Sequence, residues 1–226
     1  METFNSKYGS LYKDWEGYES QHQYDRLERL VLSYNKNLRT EVIKAKEKYN
    51  LKIRSLISDK TGLNLSFPYD KNRIEKRTIT VEVEDRVPST LLDIFKAYDD
   101  SIIELLLHYR QLQATISELE FQLNHLKKFT PLYKGDVESG KLNEVLNHLI
   151  KLVEVVEKSD ILTAIQRLDP DILGAYFLQS NRVELYWLPI GLLSLINNMS
   201  VEDFTIVVLT HELVHGYTHI GFDKDG

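Results

Sequence analysis

The chain has 226 residues, enough for one large domain or two small ones. Its 42% hydrophobic and 27% charged residues match an ordinary soluble globular protein, and a net charge of −6 without a strongly basic stretch argues against a nucleic-acid partner. There is no cysteine, which excludes disulfides and any thiolate metal site, so a metal must be held by histidines and carboxylates.

The N-terminus, METFNSKYGSLYKDW, lacks the apolar run of a signal peptide. The longest apolar stretch, Leu185 to Ile196, is interrupted by Pro189 and Gly191 and falls short of the ~20 residues that span a bilayer. The expectation is a cytoplasmic protein with no membrane contact.

Residues 10–58 read as a long helix, because Leu27, Val31, Tyr34, Leu38, Val42, Ala45, Tyr49, Ile53 and Leu56 recur at spacings of three and four. Successive spacings of four at Leu38–Val42 and Tyr49–Ile53 break a strict heptad, so the stripe should drift or locally unwind. Between 63 and 84 two alternating runs, Leu63-Leu65-Phe67 and Ile79-Val81-Val83, predict a small β-hairpin. From Leu91 to Leu126 apolar residues alternate spacings of four and three without a fault, which is a heptad seam. Ser89 can cap its start, and Thr130-Pro131 closes it.

Two long helices joined by a compact tip predict one antiparallel, coiled-coil-like helical hairpin over residues 1–130, with a parallel dimeric coiled coil as the competing reading. Residues 131–140 form a loop and a domain boundary. Beyond it Leu142, Val145, Leu146, Leu149, Val153 and Val156 make an amphipathic helix, and Ser159 or Asp160 can cap a short one over 161–168 that Asp169-Pro170 ends. Residues 174–178 and 182–188 flank the turn Gln179-Ser180-Asn181 as a β-hairpin. Pro189 suits the first turn of a helix that reaches Asn197. Ser200 and Asp203 form a capping box for the last helix, which is apolar nearly all round and therefore expected to be buried. The fold class is α+β and mostly helical.

That last helix carries His211-Glu212-Leu213-Val214-His215. Histidines four apart share a helix face, about 6 Å apart along the axis, and can converge on one tetrahedral zinc. Glu212 then reaches the water that zinc activates and takes its proton as a general base, which is why the pattern is His-Glu-x-x-His. The competing reading is a hydrogen-bonded pair of core histidines with Glu212 in a salt bridge. Imidazoles in an apolar helix are costly to bury unsatisfied, and this favours the metal. His108, His125 and His148, without a paired ligand nearby, are packing or surface residues. Tyr186 and Tyr217 are packing residues rather than oxyanion donors, and Glu82, Glu84 and Asp85 form a solvated strand face.

On HELVH and the order strand, helix, motif helix, residues 131–226 resemble the zincin superfamily of HExxH zinc metallopeptidases. The resemblance implies a zinc ion, a peptide or protein substrate and hydrolysis by a zinc-activated water with Glu212 as base. It also implies that strand 182–188, by position, offers an exposed edge to an extended substrate. The long hairpin is not part of the zincin core and is an added module that recruits a protein partner. The third zinc ligand fits neither common zincin pattern. If Gly216 ends the helix, as glycine often does, His219 can swing back to the metal; Asp223 and Asp225 are carboxylate alternatives. Zincins place a C-terminal subdomain just beyond this point, so the region is expected to be partial, with a downstream residue as a further candidate. The alternative function is an interaction or assembly module whose HExxH region is a structural or degenerate metal site. A zinc hydrolase of non-peptide substrates is the third.

Overall fold

The computed structural model describes residues 4–62, 79–129 and 136–222; within these ranges the side chains of 4–16, 129, 136–139, 170 and 219–222 are not described. The elements in chain order are α1 (Phe4–Tyr34), α2 (Leu38–Thr61), β1 (Thr80–Glu84), α3 (Ser89–Lys96), α4 (Asp100–Phe129), α5 (Asp136–Lys158), α6 (Ile161–Gln166), a 3-10 turn (Pro170–Ile172), β2 (Gly174–Phe177), β3 (Arg182–Tyr186), α7 (Trp187–Asn197) and α8 (Val201–Phe222). Among the described residues the chain is mostly helical, as the periodicities predict, with one small mixed sheet. Among the described residues no helix is long and apolar enough to cross a membrane.

Two compact units share the chain. One comprises Met1–Asp93, Leu168–Ser194 and Met199–Gly226, the other Ile94–Arg167 with Leu195–Asn198. This division differs from the expected 1–130 and 131–226. A single hairpin over 1–130 is not formed, because its two arms have different main partners: α2 packs along α8 and α4 along α5. A heptad seam requires an apolar partner but does not name it.

In the second unit α4 and α5 are the two arms that fold together. The seam is covered in part within the chain, with Tyr109 and Leu123 buried on α4 and Leu146, Val153 and Val156 on α5, while Leu126 stays exposed. The Tyr109 hydroxyl donates to Glu157 at 2.9 Å across the pair. The seam's helix is not continuous. It breaks at 97–99, and Asp99 restarts it by accepting the Ile102 N–H at 3.1 Å. The expected loop at 131–140 is already helical from Asp136; Thr130 and Pro131 lie outside the described residues. Before α6, Asp160 takes a left-handed backbone (φ 60°) and makes no side-chain cap, so the capping expected of it is absent.

The first unit carries the sheet. Residues 35–37 separate α1 from α2, and the apolar stripe drifts as its spacing predicts: Ile53 and Ile57 are buried while Leu56 is 55% exposed. β2 and β3 pair antiparallel around a turn in which Asn181 has φ 48°, the hairpin expected. β1 pairs parallel with β3, Val81 opposite Val183 and Val83 opposite Leu185, which gives the order β1-β3-β2. β1 is therefore a strand of this sheet rather than half of a helical-hairpin tip; its expected partners Leu63, Leu65 and Phe67 lie outside the described residues. Asp85, just past β1, accepts from Trp187 Nε1 at 2.6 Å and from Arg39 Nε at 2.9 Å, and Glu82 pairs with Arg182. These acidic groups tie elements together instead of forming only a solvated face.

Beneath the sheet and α8 lies a core of Leu38, Val42, Ile53, Ile79, Val183, Leu185, Leu209 and Leu213. Each fully buried aliphatic side chain contributes roughly 2 kcal/mol. The Ser200 half of the expected capping box is formed: Ser200 Oγ accepts the Asp203 N–H at 3.0 Å, and it also donates to Asp203 Oδ2 at 2.7 Å. Glu202, on the first turn, accepts from Lys48 and Tyr49 of α2.

Candidate metal centre

The elements around α8 determine which of its faces is wet. Val201, Thr205, Val208, Leu209, Glu212, Leu213, Gly216 and Tyr217 are buried, whereas Val207, His211, Val214, His215 and Thr218 are exposed along one stripe. The expectation of a helix buried all round is thus corrected. Valines on the solvent stripe make its composition uniform, and composition alone hides the face. Both histidines are exposed, so the desolvation argument made from the sequence does not apply to them.

That geometry suits either a hydrogen bond between the rings or a shared cation. The Nε2 atoms of His211 and His215 stand 3.0 Å apart, with the rings edge to face at a centroid distance of 4.6 Å. Two imidazole nitrogens on one tetrahedral zinc, at 2.0–2.1 Å each, stand about 3.4 Å apart. A hydrogen bond between the rings needs a proton on one Nε2, whereas a shared cation needs none on either. The donor set therefore fits zinc with a small relaxation of either ring.

Glu212 turns the other way, towards the sheet, and is only 2% exposed. The Tyr186 N–H donates to the Leu173 carbonyl at 2.9 Å. By strand alternation the backbone groups of Gly174 and Tyr176 then face away from β3. The Tyr176 N–H meets the Glu212 carboxylate there, while Glu212 Oε1 is buried without a hydrogen-bond partner. Burial, with a smaller push from the Asp171 charge, raises the Glu212 carboxyl to about 7, and the Tyr176 N–H opposes this. A carboxyl poised there can both accept and return a proton near neutral pH.

Gly174 makes the placement of Glu212 possible. A Cβ at that position would stand 2.7 Å from the Glu184 carbonyl oxygen and 3.1 Å from Glu212 Cγ. Gly216 has a related role. A Cβ there would meet Ile79 Cδ1 at 2.6 Å and Tyr176 Cε2 at 3.1 Å. It is a close-packing glycine and does not end the helix, which runs on to Phe222. The fold-back expected for His219 is therefore not what the backbone does. His219 lies ~12 Å along the axis from His211, too far for both to meet one tetrahedral ion. Its side chain, like Asp223 and Asp225, lies outside the described residues.

Three further placements depart from or extend the sequence reading. β3 is the central strand, hydrogen-bonded on both sides, so it has no exposed edge for a substrate; among the described residues the sheet's edges are β1 and β2. Tyr217 is 1% exposed and its hydroxyl bonds Arg54, which also donates to the Ile79 carbonyl; the Tyr186 hydroxyl bonds Arg86. Both tyrosines are packing residues in this arrangement. Asp171, in the turn before β2, brings a carboxylate to the motif: ligand atoms of Asp171, His211 and Glu212 all lie within 4.8 Å of one another. Sequence reasoning used Asp169-Pro170 only as a helix stop and passed over Asp171, whose proximity no spacing rule encodes. Compared with known proteins, the chain matches no family model, no curated protein and no solved structure.

Proposed function

We propose that this chain is a zinc-dependent peptidase of the HExxH type, or the N-terminal portion of one, acting on peptide or protein substrates in the cytoplasm. The observation that carries the reading is the pairing of two imidazole Nε2 atoms 3.0 Å apart with a buried, partner-poor carboxylate on the intervening turn. His211 and His215 would hold the ion, their Nε2 atoms standing 3.0 Å apart. Zinc, when bound, supplies a Lewis acid that acidifies a water and polarises a carbonyl. Glu212 takes a proton from the water as its oxygen adds to the carbonyl carbon, and returns one to the amine as the carbon–nitrogen bond breaks. The Tyr176 N–H holds the carboxylate in place, and Gly174 leaves it room.

Zinc content and hydrolysis of an unstructured protein substrate, measured together, test this. Glu212→Gln should lower hydrolysis about a hundredfold or more while zinc stays bound. His211→Ala should lose both. Hydrolysis that survives Glu212→Gln overturns the mechanism. A function insensitive to that change, in a protein that His211→Ala unfolds, would establish a structural metal site instead.

A further inference from the structure

A catalytic zinc takes three protein ligands and keeps one position open. The motif supplies two, the chain has no cysteine, and the continuous α8 carries His219 about two turns past His211 and one past His215. The turn Pro170–Ile172 stands beside the motif from a different part of the sequence. Asp169 shapes it, accepting the Asp171 N–H on Oδ1 at 3.2 Å and the Ile172 N–H on its carbonyl, also at 3.2 Å. The Asp171 carboxylate lies within 4.8 Å of donor atoms on both His211 and Glu212, and it is exposed. Among the described residues no basic side chain pairs with it. A second observation bears on the same group: Glu212, one of its three members, is buried and its Oε1 has no hydrogen-bond partner. Two carboxylates beside the imidazole of His211, whose Nε2 stands 3.0 Å from that of His215, make an arrangement that a divalent ion relieves.

We propose that Asp171 is the third protein ligand, so that the ion is held by a His-His-Asp set from one helix and the turn that leads into β2. This rests on the reading that His211 and His215 hold zinc. In this reading Glu212, seated against Gly174, is the carboxylate of the group left to act as base. The site is then complete within the first unit, because residues 168–194 and 199–226 both belong to it.

The test titrates the metal-free full chain with zinc against a chromophoric chelator, then with cobalt(II) as a spectroscopic probe. Asp171→Ala should weaken zinc about a hundredfold or more, beyond the 10- to 100-fold typical of residues that only orient a ligand. His219→Ala, Asp223→Ala and Asp225→Ala should leave affinity unchanged. Asp171→Cys, loaded with cobalt, should show a sulfur-to-cobalt charge-transfer band in the near ultraviolet, which requires direct ligation and not mere folding. Wild-type affinity in Asp171→Ala, or no charge-transfer band in a cobalt-loaded Asp171→Cys chain, overturns the proposal while leaving the histidine pair intact. Failure of the wild-type chain to bind either metal overturns both the proposal and the reading beneath it.

Discussion

Burying Glu212 should make the metal-free protein less stable as pH rises, and replacing it with glutamine should remove that dependence. The folded carboxyl titrates at about 7, against 4.5 in its ordinary state. Below pH 4.5 the group is protonated in both folded and unfolded chains and contributes nothing. Between 4.5 and 7 the unfolded chain ionises while the folded one resists, so stability falls. Above 7 both are ionised and the penalty is constant at about 3 kcal/mol. Glu212→Gln keeps the shape and removes the charge. Relative to the wild type it should gain about 3 kcal/mol between pH 4 and pH 8.5, while titrations common to both chains cancel in the comparison. Trp187 is buried in the unit that carries the site, so urea unfolding with a chelator present and tryptophan fluorescence as readout follows that unit's transition. A stability difference between the two chains that is the same at pH 4 and pH 8.5 would refute the argument, because it would mean that the folded state does not resist the charge on Glu212.

Two further substitutions separate packing from chemistry. Gly174→Ala puts a methyl 2.7 Å from the Glu184 carbonyl and 3.1 Å from Glu212 Cγ; it should cost about 1–3 kcal/mol and displace Glu212, lowering hydrolysis while zinc content, read by elemental analysis, holds. Tyr217→Phe removes the buried hydroxyl that bonds Arg54 and should destabilise by about 1–3 kcal/mol in urea unfolding, with kcat per folded molecule unchanged; a large fall in kcat would instead give Tyr217 a part in the reaction.

Much of the local structure was legible in the sequence because local rules decide it. The Ser200 cap on the Asp203 N–H forms as its spacing requires, since both partners lie within one helical turn. The turn 179–181 brings Tyr176 opposite Val183 because a short loop leaves few registers. His211 and His215 share a face because four residues make just over one turn. The heptad seam announced that a partner exists, and Tyr109 and Leu123 are buried accordingly.

What the sequence could not name was the partner of each surface. A seam of leucines fits any matching stripe, so only the folded chain pairs α4 with α5 and α2 with α8. A parallel β1–β3 ladder joins segments far apart in the chain, and no turn signal marks it. Gly216 reads as a helix stop or as a close contact, and the presence of Ile79 and Tyr176 at its Cα decides for contact. The sequence by itself determined that two imidazoles and a carboxylate lie together on one helix. Tertiary structure alone decided that the imidazoles face outwards, that Glu212 lies against Gly174, and that Asp171 arrives from another turn, because burial and proximity are properties of packed surfaces and not of spacing along a chain.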